Sequence, residues 1–359
     1  MKKSKRRSKT WTVLTIGILV VAAAHALIPL PSSWVERFYS RGIYPYVQSW
    51  LTALTNRVSF SVGDALLIVL VLAFPIWWVL RIKSARGKRA HAIASLGLKS
   101  LLAAAVIYLV FLALWGFNYQ RVPLMGKLDY DETRLTEDAR NGLLRSTIER
   151  LNTDSKSVHG AEWPSEEAWR NQLRDSFNRI VIDLGNRTGI VPALPKTSLT
   201  DFFLGKAGVV GFTNPFGLEV ILNSDLLPIE RPFTVAHEWA HLAGFADESE
   251  ANFVALLSCG TSDTSAIRYS AWLELYPYLQ PHQEDNARLA PEVIADLHAI
   301  AERASRRLSP AISKAQTRVY DGFLKANRVQ AGIGSYGLFV RLMLGTRFES
   351  EWKPALRSL

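Results

Sequence analysis

The sequence predicts a mainly α-helical protein with a small β-sheet, in which three N-terminal transmembrane helices precede an α+β domain. Three long apolar segments lie within residues 1–118, and residues 119–359 carry helix-like patterns with one strand-like pair. Residues 1–118 also carry 15 Lys and Arg against two acids, whereas residues 119–359 carry 27 basic and 30 acidic residues. The net charge of +10 therefore belongs to membrane flanks, and no nucleic-acid partner is expected.

The apolar segments have the length of membrane spans. They cover residues 11–30, 65–82 and 101–117, against the roughly 20 residues that a helix needs to cross a bilayer. Basic residues precede the first segment and fill the loop 83–99. The positive-inside rule then predicts a multi-pass protein of the inner membrane with a cytoplasmic amino terminus and an extracytoplasmic domain at 119–359. A cleaved signal peptide, ending near residues 24–26, is the alternative for the first segment.

Local patterns outside the spans predict further elements. Tyr44, Tyr46 and Trp50, between the first two spans, are expected at the membrane interface. Helical patterns cover residues 130–152, 165–186, 265–279, 291–308 and 313–325, and strands are expected at 209–212 and 218–223, joined by a turn at 214–217. The edge strand of such a hairpin could bind an extended peptide by adding it to the sheet, and a purely structural hairpin is the alternative.

The strongest chemical signal is the HExxH pattern formed by His237, Glu238 and His241. Residues four apart share one face of a helix, so both imidazoles can reach one metal ion. Pro232 suits the first turn of that helix, and Gly244 suits its end. A catalytic zinc ion has three protein ligands and one open position, and Glu238 is expected to be the general base. Two surface histidines on an ordinary amphipathic helix are the bland alternative.

Three acids compete for the third ligand position. Glu250 heads an apolar stripe of the next helix, where a buried carboxylate needs a partner such as zinc. Asp247 suits a helix cap, with Glu250 at the third position of a capping box, but it also fits the metzincin spacing as a ligand. Glu250 is therefore the predicted third ligand, Asp247 is the alternative, and Glu248 ranks third.

Several segments together resemble an uncharacterised family of bacterial membrane proteins with a zincin-like domain. The resemblance rests on HExAHxxGF at 237–245 and on E-x-E-A-N at 248–252. It extends to the segments GFNYQRVPL, GFTNPFGLEVILN, YDGFLKANRV and GIGSYG. It implies a membrane-anchored zincin-like domain with three spans and favours Glu250 over Asp247, but it implies no substrate.

These observations predict a zinc metallopeptidase that hydrolyses a peptide or protein substrate of the cell envelope. Tyr336, or else Tyr320, could stabilise the transition-state oxyanion, although packing is the simpler role. The glycine-rich stretch 332–337 lacks the strand–helix context of a phosphate loop, so no nucleotide is expected. A catalytically idle zinc-binding sensor or scaffold of the envelope is the alternative function.

Overall fold

The computed structural model describes residues 2–85, 87–349 and 352–357. Its N-terminal part contains α1 (Lys2–Leu27), α2 (Ser32–Trp34), α3 (Tyr44–Thr55), α4 (Val62–Ser84) and α5 (Arg89–Leu114), with a π-helix at Val35–Ile43. Three helices are long and apolar enough to span a membrane, with spans at Thr10–Leu27, Val62–Ser84 and Arg89–Leu114. The prediction of three N-terminal membrane helices is confirmed. The third helix begins earlier than the predicted span because the basic residues before the apolar stretch are also helical.

A second group of helices follows the third span. It contains 3₁₀ turns at Gly116–Gln120 and Glu132–Arg134, together with α6 (Leu124–Lys127), α7 (Glu137–His159), α8 (Glu166–Asp183) and α9 (Asp201–Ala207). The hydroxyls of Thr136 and Ser165 cap α7 and α8 by accepting backbone N–H groups of the first turn. Both long helices therefore begin later than their amphipathic pattern alone predicted.

The sheet is small, as predicted. It consists of β1 (Lys196–Thr197), β2 (Gly211–Asn214) and β3 (Glu219–Leu222) in the order β1-β3-β2. The central strand β3 pairs in parallel with β1 and antiparallel with β2, with Gly211 opposite Leu222 and Asn214 opposite Glu219. The predicted hairpin is thus present, and β2 lies at an edge of the sheet.

The C-terminal half is helical. It contains α10 (Arg231–Leu242), α11 (Glu248–Gly260), α12 (Ser265–Tyr278), α13 (Gln283–Asn286), α14 (Pro291–Arg306), α15 (Pro310–Ala326), a 3₁₀ segment (Gly332–Leu338) and α16 (Phe339–Gly345). Helix α10 packs against α11, the helices α8 and α12 both contact this pair, and α7 packs on α12. The mainly α-helical fold with a small sheet is therefore confirmed.

Residues 31–64 pack into the same core as the domain that follows the third span. The Tyr44 hydroxyl donates to the carbonyl of Leu242 at 2.8 Å, and Tyr44 is only 1% exposed. The interfacial position predicted for Tyr44 is therefore wrong, whereas Tyr46 and Trp50 are 78% and 70% exposed. A buried ion pair between Glu36 and Arg121, at 3.0 Å, fixes the same segment. The packing thus crosses the predicted boundary between residues 118 and 119.

Candidate metal centre

Helix α10 carries the HExxH residues and ends where the sequence predicts. Pro232 lies in its first turn, where a missing N–H costs nothing. At its end Gly244 has φ +86°, and its N–H donates to the His241 carbonyl at 3.0 Å. A Cβ at this position would also lie 3.0 Å from Oδ1 of Asn118. Glycine therefore allows both the helix end and the close packing behind it.

Two hydrogen bonds fix the orientation of both imidazoles. Nδ1 of His237 lies 2.7 Å from Oδ1 of Asn252, and Nδ1 of His241 lies 2.8 Å from the carbonyl oxygen of Phe245. Both partner atoms are acceptors, so each Nδ1 carries the proton and donates. In the neutral rings each Nε2 then presents a lone pair, which is the form that binds a metal.

Glu248, at the first position of α11, completes a three-residue cluster with the histidines. Its Oε2 lies 3.2 Å from Nε2 of His237 and 3.3 Å from Nε2 of His241. This oxygen is buried, and among the described residues it has no hydrogen-bond partner. Three electron-rich atoms therefore converge on one point, which is unfavourable unless a cation or a proton lies between them.

The spacing of these atoms fits a zinc ion. Bonds of about 2.0–2.2 Å in a tetrahedral arrangement place ligand atoms roughly 3.3–3.6 Å apart. The two separations between Glu248 Oε2 and the imidazole nitrogens, 3.2 and 3.3 Å, are close to this value, and the three ligand atoms all lie within 4.8 Å of one another. Two imidazoles and one carboxylate also form a donor set that zinc accepts. The residues present therefore fit the metal that the motif predicted.

The cluster is strongly coupled electrostatically. Burial alone would raise the pKa of Glu248, but the two imidazoles hold that pKa well below its usual range. Burial alone would lower the pKa of His241, but the carboxylate of Glu248 raises it to about 9. The pocket thus favours positive charge next to Glu248, as a cation-binding site requires.

Glu238 lies beside the cluster on α10 and is 3% exposed. The Thr213 hydroxyl on β2 donates to its Oε2 at 2.8 Å and lies 3.0 Å from its backbone carbonyl. A Cβ at Gly211 would lie 3.1 Å from Oε1 of Glu238, so glycine allows β2 to approach this closely. Burial raises the pKa of Glu238, and the two imidazoles and Thr213 partly oppose that rise. The carboxyl is held between the candidate ligands and the edge strand.

The structure does not bring Glu250 to the histidines. Its Oε1 accepts the backbone N–H of Leu124 on α6, and burial raises its pKa to about 7. Asp247 caps α11 by accepting from the N–H groups of Ser249 and Glu250, which is its bland role. The candidate third ligand is therefore Glu248 rather than Glu250 or Asp247. Helix α11 is buried on all sides, so its apolar stripe does not identify the side that meets α10.

The two tyrosines proposed as oxyanion donors have different outcomes. Tyr320 on α15 donates its hydroxyl to Oε1 of Glu248, so it reaches the cluster through a candidate ligand. The backbone of Tyr336 belongs to the 3₁₀ segment Gly332–Leu338, but its side chain lies outside the part of the chain that is described.

Several residues at the site were not predicted from the sequence. Asn252 orients His237, Thr213 holds Glu238, and Nε1 of Trp115 donates to the His241 carbonyl at 2.9 Å. Glu274 on α12 adds a half-buried carboxyl. Burial raises the pKa of this carboxyl, and His237 partly opposes that rise. One signal was present: Glu248 and Asn252 are four residues apart, so they share the face of α11 that meets the histidines.

Comparisons with known proteins give a family and nothing further. No curated protein and no solved structure matches the chain. A family described as "Protein of unknown function (DUF3810)" matches residues 39–344, which include α10, α11 and most of the surrounding core. The chain belongs to this family of unknown function.

Proposed function

We propose that this chain is a membrane-anchored zinc metallopeptidase. The proposal is carried by three atoms that converge, which are Nε2 of His237, Nε2 of His241 and Oε2 of Glu248. A buried carboxyl, Glu238, lies on the same helix as the two histidines. His237, His241 and Glu248 would hold the zinc ion. Basic residues before the first span and between the second and third spans support a cytoplasmic amino terminus in the inner membrane and a site on the outer side.

A bound zinc ion would supply Lewis-acid polarisation of the substrate carbonyl and would increase the acidity of water. The chain's own residues supply the remaining chemistry. Glu238 takes the proton of the attacking water and then returns it to the leaving amine nitrogen. Thr213 keeps the Glu238 carboxyl in place, while Asn252 and the carbonyl of Phe245 keep the imidazoles in the ligating tautomer.

The position of β2 supports a peptide as substrate. The strand lies at the edge of the sheet and contacts Glu238 through Thr213 and Gly211. Among the described residues no other segment pairs with its outer edge. An extended peptide added there would form backbone hydrogen bonds and lie beside the general base.

The test compares Glu238→Gln with wild type in the full-length chain, because residues 31–64 are part of the core. Zinc content should stay near that of wild type, because glutamine keeps the size and the Thr213 contact. Turnover of a peptide library should fall by about 10²–10⁴, the usual contribution of a general base. Glu167→Gln makes the same change at an exposed carboxyl of α8 and should leave turnover unchanged. Equal cleavage by Glu238→Gln and wild type would refute the mechanism.

One observation favours the alternative, an idle zinc-binding sensor or scaffold of the envelope. Tyr320 bonds to Glu248, and the two candidate histidines are only 8% and 7% exposed. A closed site suits a structural metal, which keeps no open position. Zinc-loaded wild type that cleaves no member of the library would favour this alternative.

A further inference from the structure

The third candidate span ends directly on the metal helix. Trp115 is the first residue after α5, and its Nε1 donates to the carbonyl oxygen of His241. Its ring also meets the His241 imidazole edge-on, with ring centroids 6.1 Å apart. One residue beyond a membrane helix therefore touches a candidate ligand from two directions.

The second candidate span begins at the β2–β3 hairpin. The N–H groups of Val62 and Gly63, in the first turn of α4, donate to the Glu219 carboxylate at 3.1 and 3.0 Å. Gly63 also lies against Asn214, since a Cβ there would be 1.8 Å from Nδ2 of Asn214. Asn214 directly follows Thr213, whose hydroxyl binds Glu238. Two residues of β2 thus connect the general base to the start of a membrane span.

The contacts between α4 and the hairpin determine how far Glu238 lies from the membrane boundary. Helix α4 has 23 residues, or about 35 Å, which slightly exceeds the roughly 30 Å hydrocarbon core. In the topology proposed above, its first turn therefore lies at the outer boundary. Leu199, whose N–H donates to Asp64 in that turn, is 54% exposed, and the nearby Phe202 and Phe203 are each 59% exposed. Such side chains suit the interface. Two strand residues span about 7 Å, so Glu238 lies within roughly 10 Å of this boundary.

The free edge of β2 leads from Glu238 toward the membrane boundary. The Asn223 N–H donates to the carbonyl of Val210, so these two residues form a hydrogen-bonded pair of the antiparallel ladder. Such pairs alternate along the strands, and the N–H and C=O groups of Gly211 and Thr213 therefore point away from β3. The strand runs from Gly211, against Glu238, to Asn214, at the membrane boundary. A peptide paired with this edge has one end at the bilayer.

We propose that the substrate is the stretch of a membrane-anchored protein or peptide that lies directly outside the bilayer, and that it binds by pairing with the outer edge of Gly211–Asn214. This inference rests on the proposed peptidase function. A segment that leaves the membrane beside α4 reaches Glu238 within a few residues. A soluble peptide has no such advantage and must enter a site bordered by lipid.

The test uses the full-length zinc-loaded chain in vesicles of phosphatidylethanolamine and phosphatidylglycerol. Three peptide libraries share one randomised segment. In the first library the segment directly follows an apolar span, and in the second a Gly/Ser spacer of about 30 residues separates it from the span. The third library has no span. The spacer library controls for the raised local concentration of any tethered peptide. We expect the directly attached segment to be cleaved at least about 100-fold faster than the soluble one, and faster than the spaced one.

A binding readout tests the pairing without turnover. A photoreactive residue in the directly attached segment should cross-link to Gly211–Asn214 of the Glu238→Gln variant. Thr213→Pro removes one outward N–H and should abolish that cross-link. Thr213→Val also loses the hydroxyl but keeps the N–H, so it should retain the cross-link. Equal cleavage of the soluble and directly attached libraries would overturn this inference and leave the peptidase intact. Cleavage of no library would overturn both.

Discussion

Helices α10 and α11 and helix α15 all place side chains at the candidate centre, but they are packed very differently. Every residue at Pro232–Leu242 and Glu248–Cys259 is buried. In α15 Leu324 is the buried residue, and Val319 is 74% exposed. The helices that carry the ligand atoms are thus fixed by the core, whereas most residues of α15 are half-buried or exposed. Local opening is least costly where little apolar area is buried, so α15 can open while α10 and α11 stay packed in the core.

The largest expected effect concerns the opening of α15. Amide hydrogen exchange of the full-length chain should be at least about 100-fold faster in α15 than in α10, because exchange from poorly packed helices needs only local opening. Added zinc should slow exchange in α15, since Tyr320 on this helix contacts Glu248.

Helix α14 is the matched control for this experiment. Like α15 it is amphipathic and has one described buried residue, Val293, but among the described residues no hydrogen bond or ion pair joins α14 to the candidate ligands. Zinc should leave its exchange unchanged. Protection of α15 equal to that of α10 would contradict the comparison.

The next prediction concerns the two glutamates at the start of the buried helix α11. Glu248→Ala should lower zinc affinity by more than about 100-fold, because changes beyond the ligands already cost 10–100-fold. Glu250→Ala should keep the metal and instead lose roughly 1–3 kcal/mol of unfolding free energy, because the buried Leu124 N–H loses its acceptor. Zinc per purified chain and competition with a chelator distinguish the two variants. Zinc lost from Glu250→Ala and kept by Glu248→Ala would restore the original sequence prediction.

The same contrast explains what the sequence could predict. Three long apolar segments require only length and composition, and the HExxH spacing requires only helical geometry, so both were readable without tertiary contacts. The sequence does not single out Glu248, because the choice among three neighbouring acids depends on which side of α11 faces α10. The apolar stripe that normally indicates this fails on a helix buried all round.

The packing of residues 31–64 could not be predicted from the sequence for a related reason. Tyr44 and Glu36 lie on short helices, one of them a π-helix, and they pack against Leu242 and Arg121 from distant parts of the chain. No local periodicity indicates such contacts. Thr213 likewise reaches Glu238 only because β2 packs on α10.

The smallest expected effect concerns the contact between Tyr320 on α15 and Glu248 on α11. Tyr320→Phe keeps the ring, which stacks on Phe323 with centroids 6.0 Å apart, but removes the hydroxyl that donates to Oε1 of Glu248. A ligand carboxylate without this partner is less well oriented, so zinc affinity should fall about 10-fold, the lower end for such partners. Exchange in α15 should also become faster. Tyr276→Phe is the matched control, because its hydroxyl donates to Asn286, outside the candidate centre, and its zinc affinity should match wild type. If Tyr320→Phe binds zinc as tightly as wild type, the tyrosine does not position Glu248, and α15 merely covers the site.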